Sequence, residues 1–225
     1  MTRAILFDTE TTGLEPHLGH RLIEIAALEL ENDLPTGKHF HRLVHPARDI
    51  PEEATRIHGF TLAQLVDKPQ FAAIVDDLLA FFGDGKLIAH NAPFDFGFLN
   101  AELTRLGRPI LFADRMVDTL ALAKSKFPGM PNSLDALCRR FSIDLSARTT
   151  HNALLDCRLL ADVYVELTGG RQRGLSLAAE KITAELIIYT HDGIRKPLPI
   201  VPSDDELAAH TALVGRLKDP IWLQA

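Results

Sequence analysis

The stretch "AILFDTETTGL", residues 4–14, decides how the fold is read. Ala4 to Phe7 form an apolar run of strand character, and two acids, Asp8 and Glu10, follow directly behind it. Side chains alternate across a strand, so Asp8 and Glu10 share one face while Thr9 and Thr11 share the other. Two carboxylates that close repel one another unless a cation lies between them or one stays protonated. Taken alone, the triplet reads more simply as a strand ending at the surface, because D-x-E is a common pattern.

Working outward, "LIEIAALELE" and "HFHRLVHP" read as two further strands joined by the turn residues of "NDLPTG", so the domain opens with a meander. "FAAIVDDLLAFFGDG" has helical spacing with a glycine stop, and "KLIAHN" reads as a buried strand. "APFDFGFLNAELTRLG" follows as a helix with Pro93 in its first turn and Gly107 at its end. Further helices are expected at "VDTLALAKSKF", "SLDALCRRF" and "NALLDCRLLADVYVELTGG". A meander followed by alternating strands and helices indicates an α/β class, a mixed sheet flanked by helices.

Two of these helices turn an acid inward. At about 100° per residue, Asp95 falls inside the stripe of Phe98, Leu99 and Leu106, and Asp156 inside that of Leu160, Val163 and Leu167. Arg158, Asp162 and Glu166 gather on the opposite, solvated side of the second helix. Ionised carboxylates in an apolar stripe are costly unless paired. A shared hard cation such as Mg²⁺ or Mn²⁺ accounts for all four acids at once. The alternative gives each acid its own buried Arg or helix cap. His151 lies five residues before Asp156, which sets it in the loop entering the helix with Asn152 or a neighbouring Thr as cap. Its ordinary pKa of about 6.5 suits it to take a proton from water.

The bulk numbers bound the function. A chain of 225 residues, 46% hydrophobic, supports one good core plus an appendage. Thirty acids against 24 bases give a formal charge of −6, which argues against binding nucleic acid through a broad basic face. Nucleic acid remains open as a substrate, because divalent cations invert the local field. No apolar run approaches the length of a membrane span and "MTRAILFD" meets an acid before any signal-like segment develops, so a cytoplasmic protein with no membrane contact is expected. Cys138 and Cys157 read as core thiols. His39 and His41 share a strand face, but with no Cys nearby zinc is the weaker reading.

"FDTETTGL", "HNAPFDFGFLNAEL" and "HNALLDCRLLADVY" resemble, in order and spacing, the three motifs of the DEDDh family of 3′-to-5′ exonucleases. The resemblance implies a ribonuclease-H-like fold in which Asp8, Glu10, Asp95 and Asp156 hold two divalent ions, Mg²⁺ or Mn²⁺, with His151 as general base. It implies hydrolysis of a phosphodiester to a nucleoside 5′-monophosphate. It also implies a terminal-nucleotide pocket in which Asp8, Glu10, Asp156, Thr11, Gly13, Glu53 and His58 contact the substrate. Leu14 reads equally as a pocket wall or as core, and His90 and Asn91 rank lower as pocket residues, with loop structure as their alternative.

Within the family the closest resemblance is to the proofreading subunits of bacterial replicative polymerases, and it extends into the tail. The expected organisation is an exonuclease domain over 1–170, a linker over 171–202 and a helical tail over 203–225. Ser203 and Glu206 form a capping-box pattern, and Leu207, Leu213, Val214 and Leu217 line one side. "QRGLSL", residues 172–177, resembles a sliding-clamp peptide carried by Gln172, Leu175 and Leu177, and the tail resembles one that docks on the polymerase catalytic subunit. The expected partner substrate is a single-stranded or frayed DNA 3′ end. Rival readings are a stand-alone RNA or small-oligonucleotide exonuclease of the same family, a haloacid-dehalogenase-like phosphatase, and a catalytically silent scaffold.

Overall fold

The computed structural model describes residues 2–148, 150–169, 199–218 and 220. The chain divides into two compact units, Met1–Ser176 and Leu177–Ala225.

In the first unit β1 (Arg3–Thr11), β2 (Leu22–Glu31) and β3 (Leu34–Leu43) form the expected antiparallel meander. The turn between β2 and β3 is tighter than the sequence indicates. Only Asn32 and Asp33 turn, with φ of 51° and 66°, and the rest of "NDLPTG" already belongs to β3. Two residues with positive φ match the twist of a hairpin, and Asn and Asp tolerate that region. The chain then forms short helices α1 (Glu52–His58) and α2 (Leu62–Leu65), and α3 (Val75–Phe82). β4 (Lys86–Ala89) pairs parallel with β1, α4 (Ala92–Arg105) follows, and β5 (Met116–Asp118) pairs parallel with β4. α5 (Thr119–Lys126), α6 (Leu134–Arg140) and α7 (Ala153–Leu167) complete the unit. The sheet order is β3-β2-β1-β4-β5, which places β1 in the centre.

Alternation along β1 divides the core. Ile5 and Phe7 pack with Phe96 and Leu99 of α4, whereas Leu6 packs with Cys157, Leu160 and Val163 of α7. Asp8 and Glu10 continue the Leu6 face and Thr9 continues the Phe7 face, so the apolar register that buries the strand also fixes where its acids aim. Both cysteines are buried free thiols.

In the second unit α8 (Asp204–Val214) begins as expected. Ser203 Oγ accepts from Glu206 N at 3.3 Å while Glu206 Oε2 accepts from Ser203 N at 2.8 Å. Along it Val214 is buried, whereas Leu207 and Leu213 are exposed, as is Leu217 beyond its end. Gln172, Leu175 and Leu177 lie outside the described residues. No helix among the described residues is long and apolar enough to cross a membrane.

Candidate active site

A cleft of about 1290 Å³ opens at the carboxyl end of β1, and Asp8, Glu10, Asp95, His151 and Asp156 all line it. Each reaches the cleft for a local reason. The β1–β2 register shifts between Glu10 and Thr11, a bulge that ends regular pairing where the acids emerge. Asp95 occupies the first turn of α4, whose start is bent by Asn91 at φ 66° and anchored by Asp118 Oδ1, which accepts from Asn91 N at 3.0 Å. Asp95 is 2% exposed, and Thr9 Oγ1 donates to its Oδ1 at 2.7 Å. The odd face of β1 thus orients the α4 acid, while the even face supplies Asp8 and Glu10.

α7 carries Asp156 in its first turn, 3% exposed, and Asn152 caps it by accepting from Leu155 N at 3.1 Å. The same helix start rests on Glu24, an acid that the sequence reading did not single out. Glu24 is fully buried and directly opposite Glu10 across the strand pair, a like-charge arrangement that is unfavourable on its own. It is resolved by donors. Glu24 accepts from Ala153 N at 3.0 Å and Asn152 Nδ2 at 3.0 Å, and meets His41 Nε2 at 2.7 Å. This explains His41, and His39 turns instead to Gly37 O at 3.4 Å, so the strand histidines serve different partners.

Arg148 is the second residue that sequence reasoning missed. Its Nε donates to Asp156 Oδ1 at 2.6 Å and its Nη2 to Oδ2 at 2.8 Å, while Nη1 donates to Asp135 Oδ1 at 2.7 Å. For Asp156 the alternative of a private buried Arg is therefore realised. For the other three acids it is not: Asp8, Glu10 and Asp95 have no basic partner within ion-pair distance among the described residues.

The consequence is excess negative charge. Burial, then the carboxylates of Asp95, Glu10, Asp156 and Glu24, push the Asp8 carboxyl well above its usual range. Burial and the charges of Asp156, Glu24 and Asp95 raise Glu10 to about 8. Burial raises Asp95 to about 7, against the pull of the Thr9 hydrogen bond. His151 moves the other way: burial and the Arg148 guanidinium hold it below its ordinary value, so its imidazole is neutral near pH 7. Among the described residues, Glu10, His151 and Asp156 bring one ligand atom each within 4.8 Å of one another. Hard oxygen donors, too little positive charge and one neutral imidazole fit divalent cations.

Around this centre the structure gathers the remaining predicted residues. Thr11 Oγ1 donates to Gly13 O at 2.6 Å, and a Cβ on Gly13 would lie 2.4 Å from the His20 ring, so only glycine allows that approach. Leu14 is 75% exposed on the cleft wall, which excludes the core-packing reading. Glu53 lines the cleft from α1 and is exposed. His58 is buried, its Nδ1 accepts from Phe60 N at 3.0 Å, and its Nε2 has no hydrogen-bond partner among the described residues. His90 and Asn91 also line the cleft, yet both are tied into the β4–α4 corner, His90 Nδ1 lying 2.9 Å from Thr119 Oγ1.

Comparison with known proteins fits this geometry. The family described as Exonuclease (RNase_T) matches residues 5–164. DNA polymerase III subunit epsilon of Rickettsia felis is 46% identical over 221 residues, covering 96% of each chain. The chain belongs to the exonuclease family and, within it, to the DNA polymerase III epsilon subunits. Among solved structures, Exonuclease X in complex with 5′ overhanging duplex DNA is 27% identical with a TM-score of 0.57, covering 75% of this chain and 91% of that one. The nuclease domain of 3′hExo, a DEDDh family member bound to rAMP, shares the fold at 18% identity and a TM-score of 0.63, covering 74% of this chain and 91% of that one. Exonucleases of this family use divalent metal ions. Membership removes the phosphatase reading, which would leave Asp95 and Asp156 without a task.

Proposed function

We propose that the protein is the proofreading 3′-to-5′ DNA exonuclease of a DNA polymerase III, hydrolysing the terminal phosphodiester of a frayed or mismatched primer and releasing a nucleoside 5′-monophosphate. The observation that carries this reading is the cluster of buried carboxylates with unbalanced charge, set beside a neutral His151 in one cleft.

Asp8, Glu10, Asp95 and Asp156 would hold two Mg²⁺ or Mn²⁺ ions. Such ions supply Lewis acidity and neutralise charge at the scissile phosphate. The protein's own groups do the rest. Thr9 fixes the Asp95 carboxylate through its hydrogen bond, and Glu24 fixes the start of α7 and with it Asp156. His151, exposed at the cleft and held neutral, takes the proton from the attacking water at a ring nitrogen. Leu14 and the exposed side chain of Ile57 offer apolar surface to the terminal base and sugar. His58 Nε2, whose proton is required there because Nδ1 accepts, is a buried donor free for the nucleotide. Thr11, Gly13 and Glu53 line the same pocket. Because the chain is acidic, substrate reaches it by tethering: residues 203–225 to the polymerase catalytic subunit, and residues 172–177 to the sliding clamp. Tethering raises the local concentration of 3′ ends to the order of millimolar without a basic groove. On this reading the protein acts in the cytoplasm, at the nucleoid.

A primer labelled at a mismatched 3′ end provides the test. Labelled mononucleotide is expected with Mg²⁺ or Mn²⁺, is lost with chelator, and is absent for Asp8→Ala. Far faster degradation of short RNA than of DNA would leave the chemistry standing and overturn proofreading.

A further inference from the structure

We propose that Arg148 is the resident counter-cation of Asp156, a positioning residue that holds this carboxylate and the His151 ring in place and competes for Asp156 with an incoming divalent ion. The inference rests on the reading of the carboxylate cluster as a metal site.

Three observations carry it. First, the guanidinium engages both oxygens of Asp156, at 2.6 and 2.8 Å, so an ion that takes both oxygens must break these bonds and an ion that takes one must share it with a second cation. Second, the same group lies 3.0 Å from His151 Nδ1, within the cluster where Glu10, His151 and Asp156 approach one another. Arg148 thus stands where positive charge is required and spans two of the residues proposed to act on the substrate. Third, the arginine is built in. Its side chain is 10% exposed, and Asp135 in the first turn of α6 holds Nη1 at 2.7 Å from outside the acid cluster.

A guanidinium does not lose its proton in a protein, so the contest at Asp156 is between two cations for one carboxylate. Forked, charge-assisted hydrogen bonds are strong and directional, and removing one member of a buried pair strands the other. Arg148 therefore keeps the ion-free site assembled at the expense of ion affinity. The tether to Asp135 retains the displaced guanidinium inside the cleft.

The experiment is calorimetric titration of Mn²⁺ into the metal-free full-length protein without substrate, alongside its melting temperature with and without Mn²⁺. Arg148→Gln is expected to bind Mn²⁺ about tenfold more tightly, the scale of an ordinary coupling between two ligands. Its metal-free form is expected to melt lower than wild type, and its gain on adding Mn²⁺ to be larger. Asp135→Asn, which loosens the tether and leaves Asp156 untouched, is expected to shift affinity in the same direction by less. It also keeps the proposal testable should Arg148→Gln fail to fold. A residue that merely supported the fold would weaken ion binding when lost. Unchanged or weaker Mn²⁺ binding in the variants overturns the role of Arg148 and leaves the metal site standing. No Mn²⁺ binding by wild type overturns both.

Discussion

At the scale of single residues, the site is governed by charge that the protein does not itself neutralise. Asp8, Glu10 and Asp95 hold their protons above the ordinary carboxylate range, Glu10 to about 8 and Asp95 to about 7. The unfolded chain releases the same protons near pH 4. Between those limits the native state binds more protons than the unfolded one, so stability of the metal-free protein falls as pH rises. Melting in chelator should therefore be lower at about pH 9 than at about pH 6, and added Mn²⁺ should remove much of the difference. Thr9 tests how narrowly an acid must be aimed. Thr9→Val keeps the shape of the side chain but deletes the 2.7 Å hydrogen bond to Asp95. Exonuclease turnover is expected to fall about 10- to 100-fold, the usual effect of removing a group that orients a metal ligand, with folding retained in circular dichroism.

At the scale of elements, the active site is a junction of β1, α4 and α7, and Glu24 on β2 is the pin. Deleting it strands the Ala153 amide, the Asn152 side chain and His41 around a buried hole. Glu24→Ala is expected to cost about 3 kcal/mol, read as a lower urea midpoint with unchanged slope, together with a loss of nuclease activity because α7 carries Asp156. The acids on β1, α4 and α7 were legible in the sequence, since a carboxylate at an apolar position of a periodic element announces itself. Glu24 carried the same signal, an acid between Ile23 and Ile25 in a strand buried along almost its whole length, but alternation puts it on one face and Glu29 and Glu31 on the other, and with apolar residues on both faces it does not say which acid matters. Arg148 carried none. It stands in an aperiodic loop, and its meeting with Asp156 and Asp135 follows from how α6 and α7 pack. β5, three residues long, is likewise set by pairing with β4 rather than by local propensity.

At the scale of the whole molecule, an acidic exonuclease works on an acidic polymer, which makes delivery as important as chemistry. Removal of the residues after Pro202 is expected to leave mononucleotide release from a free primer within about twofold of wild type, since the described residues that line the cleft all belong to the first unit. The same truncation should lose co-purification with the polymerase catalytic subunit; retained co-purification would refute the docking role. Within the first unit, the central position of β1 has a further consequence. Asp8 and Glu10 sit on a strand paired with β2 along its whole length and with β4 over Ala4, Ile5 and Leu6, whereas His151 is held by its amide to Ile57 O and Arg148 by its ion pairs. Deuterium should reach the Leu6 and Phe7 amides only when the whole sheet comes apart, while the amides of Arg148 and His151 exchange through small, frequent openings. Turnover is therefore expected to fall reversibly on gentle warming, at temperatures where circular dichroism still reports an intact sheet.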